Sequence, residues 1–331
     1  MNNKISLKDI AELAGVTKMT VSRYIRTPEK VSKETAKAIS DIIEEINYVP
    51  KRAPGIQLNA QSFTIGVLIP SFQNQIFADI LAGIESVTSG NKYQPLIANF
   101  NYSKESEEEV IINLLSYNID GIILTEKLHT QRTMKFLRAA KIPIVETMDI
   151  SGDRLDMAIG FDNRQAAFDM VTTMLRKRLR QHIVYLGSKN DPRDEQRYQG
   201  YSEAMRQRGL QSHRVNPQSI SSVNLGSTLM KDTLEAFPQL DGVFCSNDDI
   251  AVGALMFCQE NNISVPDEVA IAGFHGLEIG RQLRHHLSTI ITPRFHIGRT
   301  AASMLISKLK NDVDIPSTVD MGYQVYEGAT I

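Results

Sequence analysis

The chain has 331 residues, 42% hydrophobic and 22% charged, which excludes a disordered or fibrous protein and suggests about two or three folded domains. No stretch approaches the roughly 18 consecutive apolar residues of a membrane span, so no membrane partner is expected. The net charge of −2 is unevenly spread: residues 1–60 carry 10 Lys and Arg against 7 Asp and Glu, the rest 26 against 31, and a basic head on an acidic body suits nucleic-acid binding by the head alone.

Met1-Asn2-Asn3-Lys4 leads into an amphipathic helix and not into an apolar signal core, so the expected location is cytoplasmic. Ser6 is placed to cap that first helix, with Asp9 near its positive end. Leu7, Ile10, Ala11 and Ala14 recur on one face. Gly15 suits a left-handed turn, and Val16 can fill the space behind it. Thr17 opens a second helix running to Ile25 and stopped by Pro28, and Ser32 caps a third with Ala36, Ile39, Ile42, Ile43 and Ile46 on its apolar face. Two short helices joined by a glycine turn and closed by a third make a helix-turn-helix head over residues 1–49, whose second helix belongs in a major groove. Lys18, Met19, Ser22 and Arg23 fall on its exposed face, while Val21 and Ile25 turn inward.

Residues 50–62 form a short mixed hinge, too brief to hold a helix alone in water. Beyond it, strands alternate with helices in two rounds. The first has Ile65–Ile69, Pro95–Asn99, Gly121–Leu124 and Ile144–Glu146; the second, from about residue 163, has Ile183–Leu186, Gly242–Cys245 and Val269–Ala272. This is an α/β body of two doubly wound parallel-sheet lobes. Ligands bind beyond the carboxyl ends of such strands, so facing lobes share one cleft. Cys245 and Cys258 lack zinc-site spacing and read as small core residues of a reducing compartment.

The run Leu7-Lys8-Asp9-Ile10-Ala11, Ala14-Gly15-Val16-Thr17 and Thr20-Val21-Ser22-Arg23, followed by Val31-Ser32 and Asn47-Tyr48-Val49-Pro50, resembles the head of the lactose-repressor family. The resemblance implies that Lys18, Met19 and Arg23 read a double-stranded, near-palindromic DNA operator. An Arg can hold guanine O6 and N7 together, and a Met can pack on a thymine methyl. Thr17, Thr20, Ser22, Ser32, Thr35 and Tyr48, with Arg52 in the hinge, suit the backbone contacts that position without specifying. In that family the hinge becomes a helix on the operator and drives an apolar wedge into the minor groove. Here the wedge position is Gln57, flanked by Ile56 and Leu58, so either a flanking residue replaces the wedge or the bending is weaker.

The resemblance covers the body as well. It implies a fold of periplasmic-binding-protein type over residues 63–331, with lobe 1 at about 63–162 and 293–322 and lobe 2 at about 163–291 and 323–331. It also implies a homodimer, and no heptad run after Gly322 supplies a coiled-coil tetramer tail. The family's effector-binding positions fall on Phe77, which would stack on the ligand, and on Thr125, Asp149, Arg197, Asn247 and Thr292. One departure is informative: relatives sensing neutral sugars commonly carry Asp where this chain has His275. Exchanging a carboxylate for an imidazole suits an anionic ligand. With Gly83–Thr88 and Phe244–Asp249, this resembles the gluconate/idonate regulators of the family. The implied effector is a sugar acid, its anion held by Arg197; a neutral or phosphorylated sugar is the alternative.

No phosphate loop, nucleophile elbow or dinucleotide fingerprint occurs, so no catalytic residue and no cofactor are expected. Asp248 and Asp249 follow Asn247 in a helix-capping pattern and not a catalytic one. His275, His285, His286 and His296 fit no metal-ligand spacing. A solute-binding protein for transport would need export, and the helix-turn-helix stands where a signal peptide belongs.

Overall fold

The structure, a computed structural model, describes residues 6–48, 61–189, 191–217, 219–312 and 314–331. In the head, α1 (Leu7–Leu13), α2 (Lys18–Arg26) and α3 (Lys33–Glu45) each start at a hydroxyl cap. Ser6 and Asp9 cap reciprocally: Ser6 Oγ accepts from the Asp9 amide, and Asp9 Oδ2 accepts from the Ser6 amide at 2.7 Å. Gly15 turns the chain between α1 and α2 at φ +64°, a conformation that a Cβ would strain. Ile10, Ala11, Val21 and Ile39 form the small core, with Ile25, Ile42, Ile46 and Tyr48 packed around it.

The body begins with β1 (Thr64–Ile69), α4 (Ile76–Thr88), β2 (Gln94–Asn99), α5 (Lys104–Ser116), β3 (Gly121–Leu124), α6 (Gln131–Ala140), β4 (Ile144–Thr147) and β5 (Met157–Gly160). Then come α7 (Asn163–Lys177), β6 (Ile183–Leu186), α8 (Pro192–Gln207), β7 (His213–Val215), α9 (Val223–Ala236), β8 (Gly242–Cys245) and α10 (Asp248–Glu260). The chain continues through β9 (Ala270–His275), α11 (Glu278–Gln282), β10 (Ser288–Ile291), α12 (Arg294–Leu309), β11 (Thr318–Asp320) and β12 (Gln324–Tyr326). Two six-stranded sheets result, ordered β11-β5-β4-β3-β1-β2 and β12-β10-β9-β8-β6-β7.

The chain crosses between the sheets after β5, after β10 and after β11. Each crossing leaves one sheet at the carboxyl ends of its strands. Sheets parallel throughout are the expectation from sequence; β12 differs, pairing antiparallel with β10 while the other pairings are parallel. It enters its sheet at the carboxyl end, and the short link from β11 leaves no length for the crossover a parallel strand requires.

The sheets are apolar on both faces because helices cover both. Along β1, Ile65, Val67 and Ile69 join one core cluster with Ile80 and Leu305, while Leu68 joins another with Ile111 and Phe136. The first cluster runs on into the second sheet through Met170, Tyr185, Phe244 and Phe274. Helices α4 and α12 approach most closely at Gly83 and Gly298, where a Cβ on Gly298 would lie 2.0 Å from the Ile80 carbonyl oxygen. Among the described residues, no helix is long and apolar enough to cross a membrane.

Candidate functional site

The head presents the side chains expected of a DNA reader. Met19 is 71% exposed, and Lys18 and Arg23 are exposed beside it on α2. Ser22 is half-buried. Thr17 and Ser32 sit at the N-caps of α2 and α3, where their hydroxyl oxygens accept from the amides of Thr20 at 3.2 Å and Thr35 at 3.3 Å. Tyr48 packs against the head core, and burial pushes its phenol up. Arg52, Gln57 and Leu58 lie outside the described residues.

In the body, Arg197 projects from α8 and is only 1% exposed. Asn163, which opens α7 just after the first crossing, accepts from its Nε at 3.1 Å and its Nη2 at 3.0 Å through one amide oxygen. Arg197 Nη1 donates to the Ser246 carbonyl at 2.8 Å, Nη2 lies 3.1 Å from His275 Nε2, and the guanidinium stacks 4.2 Å from the Phe274 ring centroid. Burial and then the guanidiniums of Arg197, Arg294 and Arg193 push the His275 imidazole well below its ordinary value, so it is neutral. Its Nε2 accepts from Arg197, which leaves the proton on Nδ1, facing Thr292 Oγ1 at 3.2 Å. His275 takes φ +101°, and this strained residue is anchored by its carbonyl, which accepts from Arg294.

The structure thus brings Arg197, His275 and Thr292 into one polar centre. Asn247 borders it, capping α10 through its Oδ1 and donating to Ser221. Thr125 and Asp149 lie elsewhere, on the seam where lobe 1 meets the first turn of α8. Arg193 there donates to the Thr125 carbonyl at 2.9 Å and to Glu126 Oε1 at 3.0 Å, while Gln196 donates to Asp149 Oδ2 at 2.7 Å. Phe77 is 2% exposed and packs in the main core cluster.

Two cavities flank this seam. One of about 380 Å³ is lined by residues including Thr125, Asp149, Arg193 and Gln196. The other, of about 480 Å³, reaches Tyr102, Glu126 and Asp191. Burial pushes Glu126 up to about 7 against the opposing charge of Arg193. Burial would also raise Asp191, but Arg193 and Arg197 outweigh it and hold that carboxyl below its ordinary value.

Sequence reasoning missed Arg193, Glu126, Asn163, Asp191 and Arg294. The available signal was spacing: Arg193 and Arg197 stand four residues apart on one helix. Asp248, in the first turn of α10, is fully buried, accepting from Thr289 Oγ1 at 2.6 Å and from the Leu277 amide. It holds the turn after His275 rather than facing a ligand. Cys245 and Cys258 are buried, and burial pushes both thiols up. Among the described residues, no group of three or more His, Cys, Asp or Glu could hold a metal.

A helix-turn-helix head together with a two-lobed body points to the class of DNA-binding regulators. Residues 6–51 match the family described as bacterial regulatory proteins, lacI family, and residues 172–331 match the periplasmic binding protein-like domain. The chain is 67% identical over 330 residues to the HTH-type transcriptional regulator IdnR of Escherichia coli (strain K12), covering 100% of this chain and 99% of that one. The HTH-type transcriptional regulator GntR of the same organism is 45% identical, with 98% of each chain covered. Among solved structures, a LacI-family transcriptional regulator from Silicibacter pomeroyi superposes with a TM-score of 0.80 at 30% identity, covering 98% of this chain and 99% of that one. The chain belongs to the LacI family of DNA-binding transcriptional regulators, of the IdnR/GntR type, and is not an enzyme.

Proposed function

We propose that operator affinity is controlled by a sugar acid of gluconate or idonate type bound between the two lobes. Arg197 carries this reading. It is a guanidinium 1% exposed, bonded to a neutral amide, a carbonyl and a neutral imidazole, with no carboxylate at hydrogen-bond distance. Its ion-pair partner, Asp191, stands 3.8 Å away. A buried charge whose counter-ion stands beyond hydrogen-bond distance is only partly compensated, so a ligand that brings a carboxylate to it is favoured over a neutral sugar. Asn247, Thr292 and Asp149 supply the amide, hydroxyl and carboxylate groups that hydroxyls require.

The head over residues 1–49 reads the bases through Lys18, Met19 and Arg23, and residues 50–62 join it to the body. The regulator works as a cytoplasmic homodimer on a near-palindromic operator. Support for an apolar contact comes from Phe72, 63% exposed, and Ile97 on edge strand β2, 39% exposed. Calorimetry against gluconate, idonate, 5-ketogluconate, their phosphates and the corresponding neutral sugars tests the effector. Saturable binding of an unphosphorylated acid with none by neutral sugars is expected. Tight binding of a neutral sugar alone would overturn the reading.

A further inference from the structure

Arg193 and Arg197 share one carboxylate that the chain itself supplies. Asp191 caps α8, its Oδ1 accepting from the Arg193 amide at 3.0 Å and from Arg193 Nε at 2.9 Å. Its Oδ2 stands 3.8 Å from Arg197 Nη1, too far for a hydrogen bond. Four hydrogen bonds from Arg197 go to Asn163, Ser246 and His275, and a guanidinium has five N–H groups. The unused N–H is on Nη1, the nitrogen facing Asp191. The Asp191 side chain is 17% exposed and lines the cavity of about 480 Å³, so solvent and small solutes reach it. The other charged or titratable groups lining that cavity are Tyr102, Lys104, Glu105, Glu107 and Glu126.

We infer that Asp191 is a built-in surrogate for the ligand's carboxylate, bonded closely to Arg193 and standing loosely at Arg197, until a carboxylate ligand replaces it. This rests on the sugar-acid reading and deepens it, making Asp191 a specificity-determining residue. The surrogate gives Arg197 a counter-ion in the empty protein and adds to the one that Glu126 gives Arg193 at 3.0 Å. It also sets a threshold: a neutral polyol cannot displace it, and an acid must outdo an ion pair held at 3.8 Å at Arg197 together with hydrogen bonds of 2.9 and 3.0 Å at Arg193. The loose side is Arg197, where a carboxylate free to approach can take the unused N–H at normal length.

The test uses the full-length protein and Asp191→Asn, which keeps a good helix cap while removing the charge. Glu195→Gln is the control: it removes a charge from the same helix, but from a side chain paired outward with Arg214 at 2.6 Å. Calorimetry should show gluconate binding at least about tenfold tighter to Asp191→Asn than to the wild type, about 1.4 kcal/mol. Glu195→Gln and the neutral polyol sorbitol should show no such gain. In parallel, acetate should raise the Tm of Asp191→Asn more than that of the wild type at equal ionic strength, because it refills the emptied anion position. If gluconate binds the wild type but Asp191→Asn no better, the surrogate role is wrong and the sugar-acid reading stands. If no sugar acid binds either protein while acetate stabilises the variant selectively, the sugar-acid reading fails and the surrogate role stands. If no sugar acid binds either protein and acetate does not distinguish them, both ideas fall.

Discussion

Arg193 and Arg197 stand one turn apart on α8, yet one reaches across to lobe 1 while the other is held within the centre at Ser246 and His275. Truncating Arg197 should abolish the response to sugar acids and leave DNA binding of the ligand-free protein near that of the wild type. Arg197→Lys should recover little, because an ammonium cannot span Asn163, Ser246 and His275 from one plane. Gel shifts with and without ligand check both variants, and a normal response from either refutes the role. In the head, Arg23→Ala should weaken operator binding by roughly 1–3 kcal/mol and relax discrimination at one base pair per half-site. Equal losses on operator and random DNA would make Arg23 a backbone contact instead. Glu126 gives a pH signature. Its folded-state value, about 7, lies above the ordinary 4.5, so the native state holds this proton more tightly than the unfolded chain. The stability it contributes is complete below the ordinary glutamate range and is lost as pH rises towards 7. Glu126→Gln should flatten that slope, by on the order of 3 kcal/mol between pH 4.5 and 7. Urea unfolding across that range measures it, and an unchanged slope would show that Glu126 titrates normally.

At the scale of elements, the signals strongest in the sequence were local ones. Caps at Ser6, Thr17 and Ser32, the glycine turn and the spacing of Ile10, Val21 and Ile39 act within a few residues, so the head could be read directly. Strands of four or more apolar residues between turn signals, such as Gly242–Cys245, were legible for the same reason. Strands β7, β11 and β12 have three residues each, half-buried throughout in β7 and half-buried mixed with exposed in β11 and β12, so nothing in their composition announces them. The seam was hidden differently. Asp191-Pro192-Arg193-Asp194-Glu195 looks like a solvated helix start, and only the facing lobe makes Arg193 4% exposed. Helix packing has its own weak point where α4 and α12 touch at glycine. Gly298→Ala should cost roughly 1–3 kcal/mol, since the new methyl would force the helices apart against backbone and not against a pliable side chain. Thermal melting checks this, and an unchanged Tm would mean that the helices part freely.

For the whole molecule, the proposal requires two heads to engage one operator. Footprinting should show two protected half-sites related by a dyad, and analytical ultracentrifugation should show a dimer. A monomer binding one half-site at full affinity would sink it. The ligand's effect must also be reciprocal: a sugar acid that weakens operator binding tenfold is itself weakened tenfold by saturating operator.

The three crossings also bear on how the chain comes to be folded. Sheet 1 starts at Thr64 but awaits α12 and β11, whose last residue is Asp320; sheet 2 awaits β12, which ends at Tyr326. Neither lobe is a contiguous stretch that a ribosome could deliver finished. The head, by contrast, is complete once Tyr48 has emerged. Synthesis at about 5–20 residues per second leaves an interval in which a folded head trails a body still missing strands from both sheets. In that interval the nascent chain carries a DNA-reading surface without the body proposed to govern it. On the proposed dimer, what guards against premature engagement is that a single head lacks the partner that a dyad-related site would demand.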